Sequence, residues 1–209
     1  MTAGSFFHRI FLALLVSAFT AAAFAQAQKT PPIYEPTSGQ EGKDVVWVPT
    51  PQVVVDKMLD MARVTPNDFV MDLGSGDGRT VITAARRGAR AMGIEYNPDM
   101  VELSKRNAAK EGVTARATFV KADLFETDVS QASVITMFLL PDINLKLRPK
   151  LLELKPGTRI VSNSFTMGDW EADETANPIP EIAPQAQAAA PVGHPRLAEI
   201  GRASCRERV

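Results

Sequence analysis

Three carboxylates and a run of glycines could do chemistry in this chain. Asp72 opens the stretch Asp72-Leu-Gly74-Ser75-Gly76-Asp77-Gly78, Glu95 closes Ala91-Met-Gly-Ile-Glu95, and Asp123 lies within Ala122-Asp123-Leu124. Each acid follows a short apolar stretch. In a parallel sheet all three would therefore reach the carboxyl ends of strands, where open α/β sheets bind their ligands. Glu95 stands 23 positions after Asp72, the separation at which an acidic side chain can hold both hydroxyls of a ribose. Asp123 is placed to accept from the exocyclic amine of adenine. Together the three positions describe a pocket for an adenosine.

The glycine spacing narrows the ligand further. It reads G-x-G-x-G rather than the G-x-G-x-x-G of dinucleotide sites, and Asp77 sits inside the loop. A carboxylate against a diphosphate costs on the order of a few kcal/mol at contact near a surface. The same carboxylates favour a cation. S-adenosyl-L-methionine carries a sulfonium and an ammonium and no phosphate, and a Gly-rich turn lets backbone amides approach its carboxylate at a helix start. Taken singly, each feature has an ordinary structural use: the turn connects, Asp72 caps it, Glu95 pairs with an arginine, Asp123 opens a loop. Their joint placement on successive strands favours the cofactor.

The elements that must position these residues alternate. Thr50-Pro51 predicts a helix start, with Thr50 as N-cap and Pro51 in the first turn, and Val54, Met58, Met61 and Ala62 follow at helical spacing. Strands are predicted at 69–72, 91–95, 117–121, 133–140 and 159–165. Helices are predicted at 79–87, closed by Gly88, from Asn97-Pro98 to Glu111, and at 141–154 around Pro149. Strand and helix in regular succession predict an α/β fold, a Rossmann-like doubly wound parallel sheet with helices on both faces.

Composition removes other chemistries. The chain has 209 residues, 45% hydrophobic and 22% charged, with a single cysteine (Cys205) and two histidines (His8 and His194). All three lie in the terminal stretches, so the body holds no Cys/His zinc site, cysteine nucleophile, Ser-His-Asp triad or disulfide framework. No metal is expected. Without the terminal segments 1–25 and 200–209 the net charge is −4, a poor surface for nucleic acid, and none is expected as partner.

The ends read differently from the middle. Residues 1–25, with the apolar run Ile10–Phe24 before Ala23-Phe24-Ala25, predict a secretory signal peptide or an uncleaved membrane anchor. Export conflicts with a donor made in the cytosol, which leaves an anchor with the domain facing the cytoplasm, a different ligand outside, or a misassigned start codon. Residues 26–44 read as a loose lead-in and 171–198 as a Pro/Ala-rich linker. The stretch 199–209 resembles one reading frame of a sequencing-library adapter, which predicts a truncated, poorly soluble or inactive chain.

The run Asp72-Leu-Gly-Ser-Gly-Asp-Gly78-Arg79, with Gly93-Ile-Glu95-Tyr96-Asn97, resembles the class I (seven-strand) S-adenosylmethionine-dependent methyltransferases. Val48-Pro-Thr50-Pro51 sharpens the likeness toward the protein-lysine methyltransferases that include the enzyme of the mitochondrial ATP synthase c-subunit. The resemblance spans about residues 45–170 and implies residue roles. Asp72, Gly74, Ser75, Gly76 and Asp77 would contact the methionine part, Glu95 and Tyr96 the ribose side, and Asp123 and Leu124 the adenine. Thr50 would cover the cofactor, and 137–144 would face the acceptor. Asp142 or Asn144 would orient a lysine amine, and Trp170 would wall its channel or pack on the sheet. The segment after the fourth strand lacks the Asn-Pro-Pro-Tyr type of run, which disfavours a nucleic-acid base as acceptor.

The expected function is therefore methylation of a protein lysine. A small-molecule or lipid acceptor, a non-catalytic cofactor-binding module and a nicotinamide-dependent oxidoreductase domain are the alternatives. No alternating pair of strands follows residue 165, so the final antiparallel hairpin of the seven-strand fold is expected to be absent.

Overall fold

The computed structural model describes residues 34–43, 45–178 and 200–204, all but Tyr34 within the compact unit Glu35–Val209. The predicted signal or anchor segment, His8, His194 and Cys205 lie outside the described residues, as does most of the predicted linker. Among the described residues, no helix is long and apolar enough to cross a membrane.

Strands β1 (Phe69–Leu73), β2 (Arg90–Glu95), β3 (Ala117–Lys121), β4 (Val134–Met137) and β5 (Arg159–Asn163) form the parallel sheet, followed by β6 (Glu174–Ala176) and β7 (Ile200–Ser204). The helices are α1 (Gln52–Met61), α2 (Arg79–Arg86), α3 (Pro98–Lys110) and α4 (Pro141–Leu152). The strand order is β3-β2-β1-β4-β5-β7-β6. The order reverses at β1, which lies between β2 and β4, and a ligand crevice opens at such a reversal. Asp72 is in register with Gly93 on one side and Thr136 on the other.

The pleat explains the two cores. Val70, Val134 and Val161 face one way and pack with Val54, Met58, Leu59, Val81 and Val101 of α1, α2 and α3. Met71, Leu73, Ile135, Met137 and Ile160 face the other way and pack with Ile143, Leu147 and Leu151 of α4. Strands covered on both sides read as unbroken apolar runs, and every residue of β4 is buried. Trp170 packs on the second core.

Local signals set the helix ends. Asn97 accepts the Asp99 N–H and Pro98 opens α3, while Gly88 follows α2 with φ of 94°, a conformation that favours glycine. At α1 the cap is Pro51, and no side chain caps it. Thr50 serves the site instead.

The expected loss of the antiparallel hairpin is overturned. β7 pairs antiparallel with β5, from Asn163 opposite Ile200 to Arg159 opposite Ser204, and β6 pairs antiparallel with β7. β6 falls inside the stretch read as linker. The ladder uses backbone groups alone, so Ile200-Gly-Arg-Ala-Ser204 can cover the β5 edge without the alternation by which strands are recognised.

Candidate cofactor site

The Gly-rich turn is folded back over β2 and held from several sides. The N–H groups of Gly74 and Ser75 both donate to the Ile94 carbonyl, at 2.9 and 3.0 Å. Ser104 Oγ of α3 donates to the Gly76 carbonyl at 2.8 Å, and Asn107 Nδ2 donates to the Asp77 carbonyl at 2.9 Å. Gly93 allows this close approach, because a Cβ there would stand 2.5 Å from Ser75 Oγ and 2.8 Å from Phe119 Cδ1. Gly74, Gly76 and Gly78 all take positive φ, between 54° and 83°.

The acids fall into two kinds. Asp72 is buried, 6% exposed, and accepts from Thr136 Oγ1 at 2.6 Å across the β1–β4 pair. Burial pushes its carboxyl up to about 7, and the negative charges of Glu95 and Asp77 add to the rise against the Thr136 and Thr80 hydrogen bonds. Glu95 is anchored by backbone: Oε2 accepts the Gly76 N–H and Oε1 the Asn97 N–H, each at 2.9 Å. Each oxygen keeps capacity for a further donor. Asp123 accepts the Phe125 N–H on Oδ1 at 2.9 Å and the Lys43 ammonium on Oδ2 at 2.6 Å. Lys43 is the leading reason its carboxyl lies below the usual range.

Asp77 plays a different part from the one its sequence position suggests. Its carboxylate is claimed by Arg79, with Nε to Oδ1 at 3.0 Å and Nη2 to Oδ2 at 2.6 Å. The repulsion of a diphosphate therefore rests on Asp72 and Glu95 rather than on Asp77. Arg79 Nη1 also donates to the Thr50 carbonyl at 2.7 Å, fastening the chain before α1 to the cofactor turn.

A cleft at the reversal point gathers Thr50, Asp72, Gly74, Ser75, Gly76, Asp77, Glu95, Tyr96, Asp123 and Leu124 along its wall. About 1130 Å³ of empty space lies in and before it, open solvent included. All the positions named from sequence as cofactor contacts are thus brought together. The two named as catalytic are not: Asp142 is exposed in the first turn of α4, and neither it nor Asn144 lines the cleft. Asn144 is fully buried, and its Nδ2 donates to the carbonyls of Phe165 and Thr166, both at 3.2 Å. It ties the segment after β5 to α4.

Sequence reading missed the strap over the cleft. Residues from Gln40 to Thr50 line it (Asp44 is not described), although 26–44 reads as a loose lead-in. The strap closes on itself, Trp47 N–H donating to the Gln40 carbonyl at 2.9 Å and Gly39 N–H to the Trp47 carbonyl at 2.8 Å. The Trp47 indole lies against the turn, since a Cβ at Gly76 would meet Nε1 at 2.6 Å. The one available signal was an aromatic within Val45-Val-Trp47-Val.

These residues fit S-adenosyl-L-methionine. A buried carboxylate, a backbone-held carboxylate and a turn with glycine at every second position form a crevice for an adenosine with a cationic tail. Ser75 Oγ is buried there with no hydrogen-bond partner.

Known proteins point the same way. The family model of the ANTKMT methyltransferase domain matches residues 72–174. A protein-lysine N-methyltransferase of Saccharolobus islandicus (strain REY15A) is 49% identical over 133 residues, 62% of this chain and 83% of that protein. The chain belongs to the class I S-adenosylmethionine-dependent methyltransferases. The human lysine N-methyltransferase of the ATP synthase c-subunit is 37% identical to this methyltransferase over 128 residues, 61% of this chain but 54% of that protein. The chain spans about half the length of the human protein and of its mouse counterpart. The crystal structure of an RNA methyltransferase from Salinibacter ruber, in complex with S-adenosyl-L-homocysteine, superposes with a TM-score of 0.66. It is 44% identical, over 78% of this chain and 96% of that one.

Proposed function

We propose that this methyltransferase transfers a methyl group to the ε-amine of a protein lysine. The observation that carries the reading is the 49% identity to a protein-lysine N-methyltransferase over 83% of that protein's length. Glu95 would hold the ribose hydroxyls, Asp123 the adenine amine, and Asp72 would lie near the cationic methionine end.

The cofactor, when bound, supplies an electrophilic methyl on a sulfonium. Held by Asp72, Glu95 and Asp123, it would let an amine lone pair form the C–N bond in line as the C–S bond breaks, with a neutral thioether as leaving group. The methylammonium then gives a proton to solvent. What the chain must supply is alignment and exclusion of water. Glu95 is immobilised by two backbone donors, and Met137 and Leu139 at the end of β4 give the cleft a buried apolar wall. A lysine brought against that wall loses hydration, which favours its neutral, nucleophilic form. No strong general base is required.

A second reading has one specific support, the RNA methyltransferase of Salinibacter ruber at 44% identity. One experiment separates the two. The full chain is incubated with methyl-tritiated S-adenosylmethionine and cell extract, and portions are then treated with ribonuclease or protease. Protease-sensitive label that hydrolyses to ε-N-methyllysine is expected. Label that only ribonuclease removes would overturn the lysine reading.

A further inference from the structure

Lys43 stands where the ligand's base should go. Its ammonium is 2.6 Å from Asp123 Oδ2 and 4.4 Å from the centroid of the Tyr96 ring. Asp123 Oδ1 is already engaged by the Phe125 N–H, so Lys43 holds the other oxygen. An adenine offers the same pair of chemistries, an N–H donor for a carboxylate and a flat face for an aromatic ring. Asp123 and Tyr96 both line the cleft.

The strap puts Lys43 there. Its hydrogen bonds between Gly39, Gln40 and Trp47 make residues 40–47 a closed loop, and Lys43 lies within it. The root of the strap is fixed separately, by Arg79 on the Thr50 carbonyl. Lys43 can therefore leave Asp123 without freeing Thr50 from the cofactor turn.

We propose that Lys43 is an internal competitor of adenine: in the free protein it closes the strap on Asp123 and Tyr96, and the cofactor must displace it. The inference rests on placing the adenine at Asp123. The two side chains of the pair are 35% and 29% exposed, so the competition is modest, and its removal should tighten binding about two- to fivefold.

Calorimetry with S-adenosyl-L-homocysteine on the wild type, Lys43→Met, Asp123→Asn and the double variant tests this. Lys43→Met should bind about two- to fivefold tighter and Asp123→Asn weaker. In the Asp123→Asn background the Lys43 substitution should have a smaller effect, through Tyr96 alone. Equal or weaker binding by Lys43→Met overturns the proposal, as does a tightening that persists undiminished in the double variant. Unchanged binding by Asp123→Asn instead sinks the adenine placement, and the proposal with it. A second measurement needs no variant. Acetic anhydride should label Lys43 of the wild-type chain faster when S-adenosyl-L-homocysteine is bound, read by mass spectrometry of the peptide. Slower or unchanged labelling counts against displacement.

Discussion

Replacing Asp72 with asparagine should stabilise the free protein at neutral pH and weaken its hold on the cofactor. The carboxyl is buried and raised from 3.8 to about 7, which corresponds to about 4 kcal/mol of differential interaction. A carboxyl that titrates higher folded than unfolded keeps its proton in the folded chain between about pH 4 and pH 7. Stability therefore falls as pH rises across that window, and the cost is fully present above it. Asparagine keeps an oxygen for the Thr136 hydroxyl and carries no charge. In urea unfolding without cofactor, Asp72→Asn should exceed the wild type by roughly 1–4 kcal/mol at pH 8, and by less than half that margin at pH 5. Cofactor binding should show the other side. If a cation lies against ionised Asp72, wild-type affinity should be about tenfold weaker at pH 6 than at pH 8, and the variant should show no such slope. A variant less stable than wild type by the same amount at both pH values would refute the reasoning.

Two further substitutions test the turn. Gly93→Ala would put a methyl 2.5 Å from Ser75 Oγ and 2.8 Å from Phe119 Cδ1. It should cost about 1–3 kcal/mol in chemical unfolding and weaken cofactor binding, and an unchanged midpoint would contradict the close packing. Arg79→Ala should lose about 2 kcal/mol and raise the cofactor dissociation constant, because it releases Asp77 and Thr50 together. Arg79→Lys keeps the charge but not the planar fork and should recover less than half of either loss. Full recovery by lysine would mean that charge alone matters.

The parallel sheet was legible because β1 and β4 are doubly covered apolar runs, because turn residues separate all five strands, and because the acids that line the cleft lie at or just beyond the ends of β1, β2 and β3. The helix at Asn97-Pro98 was legible for the same local reason, a cap followed by a first-turn proline. What escaped was held by long-range or backbone contacts. β7 contributes main-chain hydrogen bonds, so Gly201 and Ala203 gave no strand pattern. The strap reads as loop because it is one, and only its fold over Gly76 makes Trp47 part of the site. Asn144 looked like a group for orienting an amine, since it stands in the first turn of the helix that follows β4. Its amide nitrogen is spent on Phe165 and Thr166. Asp77 looked like a repelling charge, and its neighbour two residues on was already in the sequence to neutralise it.

The antiparallel strand that covers β5 carries a consequence for the order of synthesis. Asn163 and Ile200 are partners in the sheet, yet a ribosome adding 5–20 residues per second separates their appearance by about 2–7 seconds. Every cleft residue from Gln40 to Ile143 has been made by then. A nascent chain could thus take up its cofactor while β5 is still open. Ligand supply during translation, and not only afterwards, would then govern how much of the chain escapes edge-to-edge association.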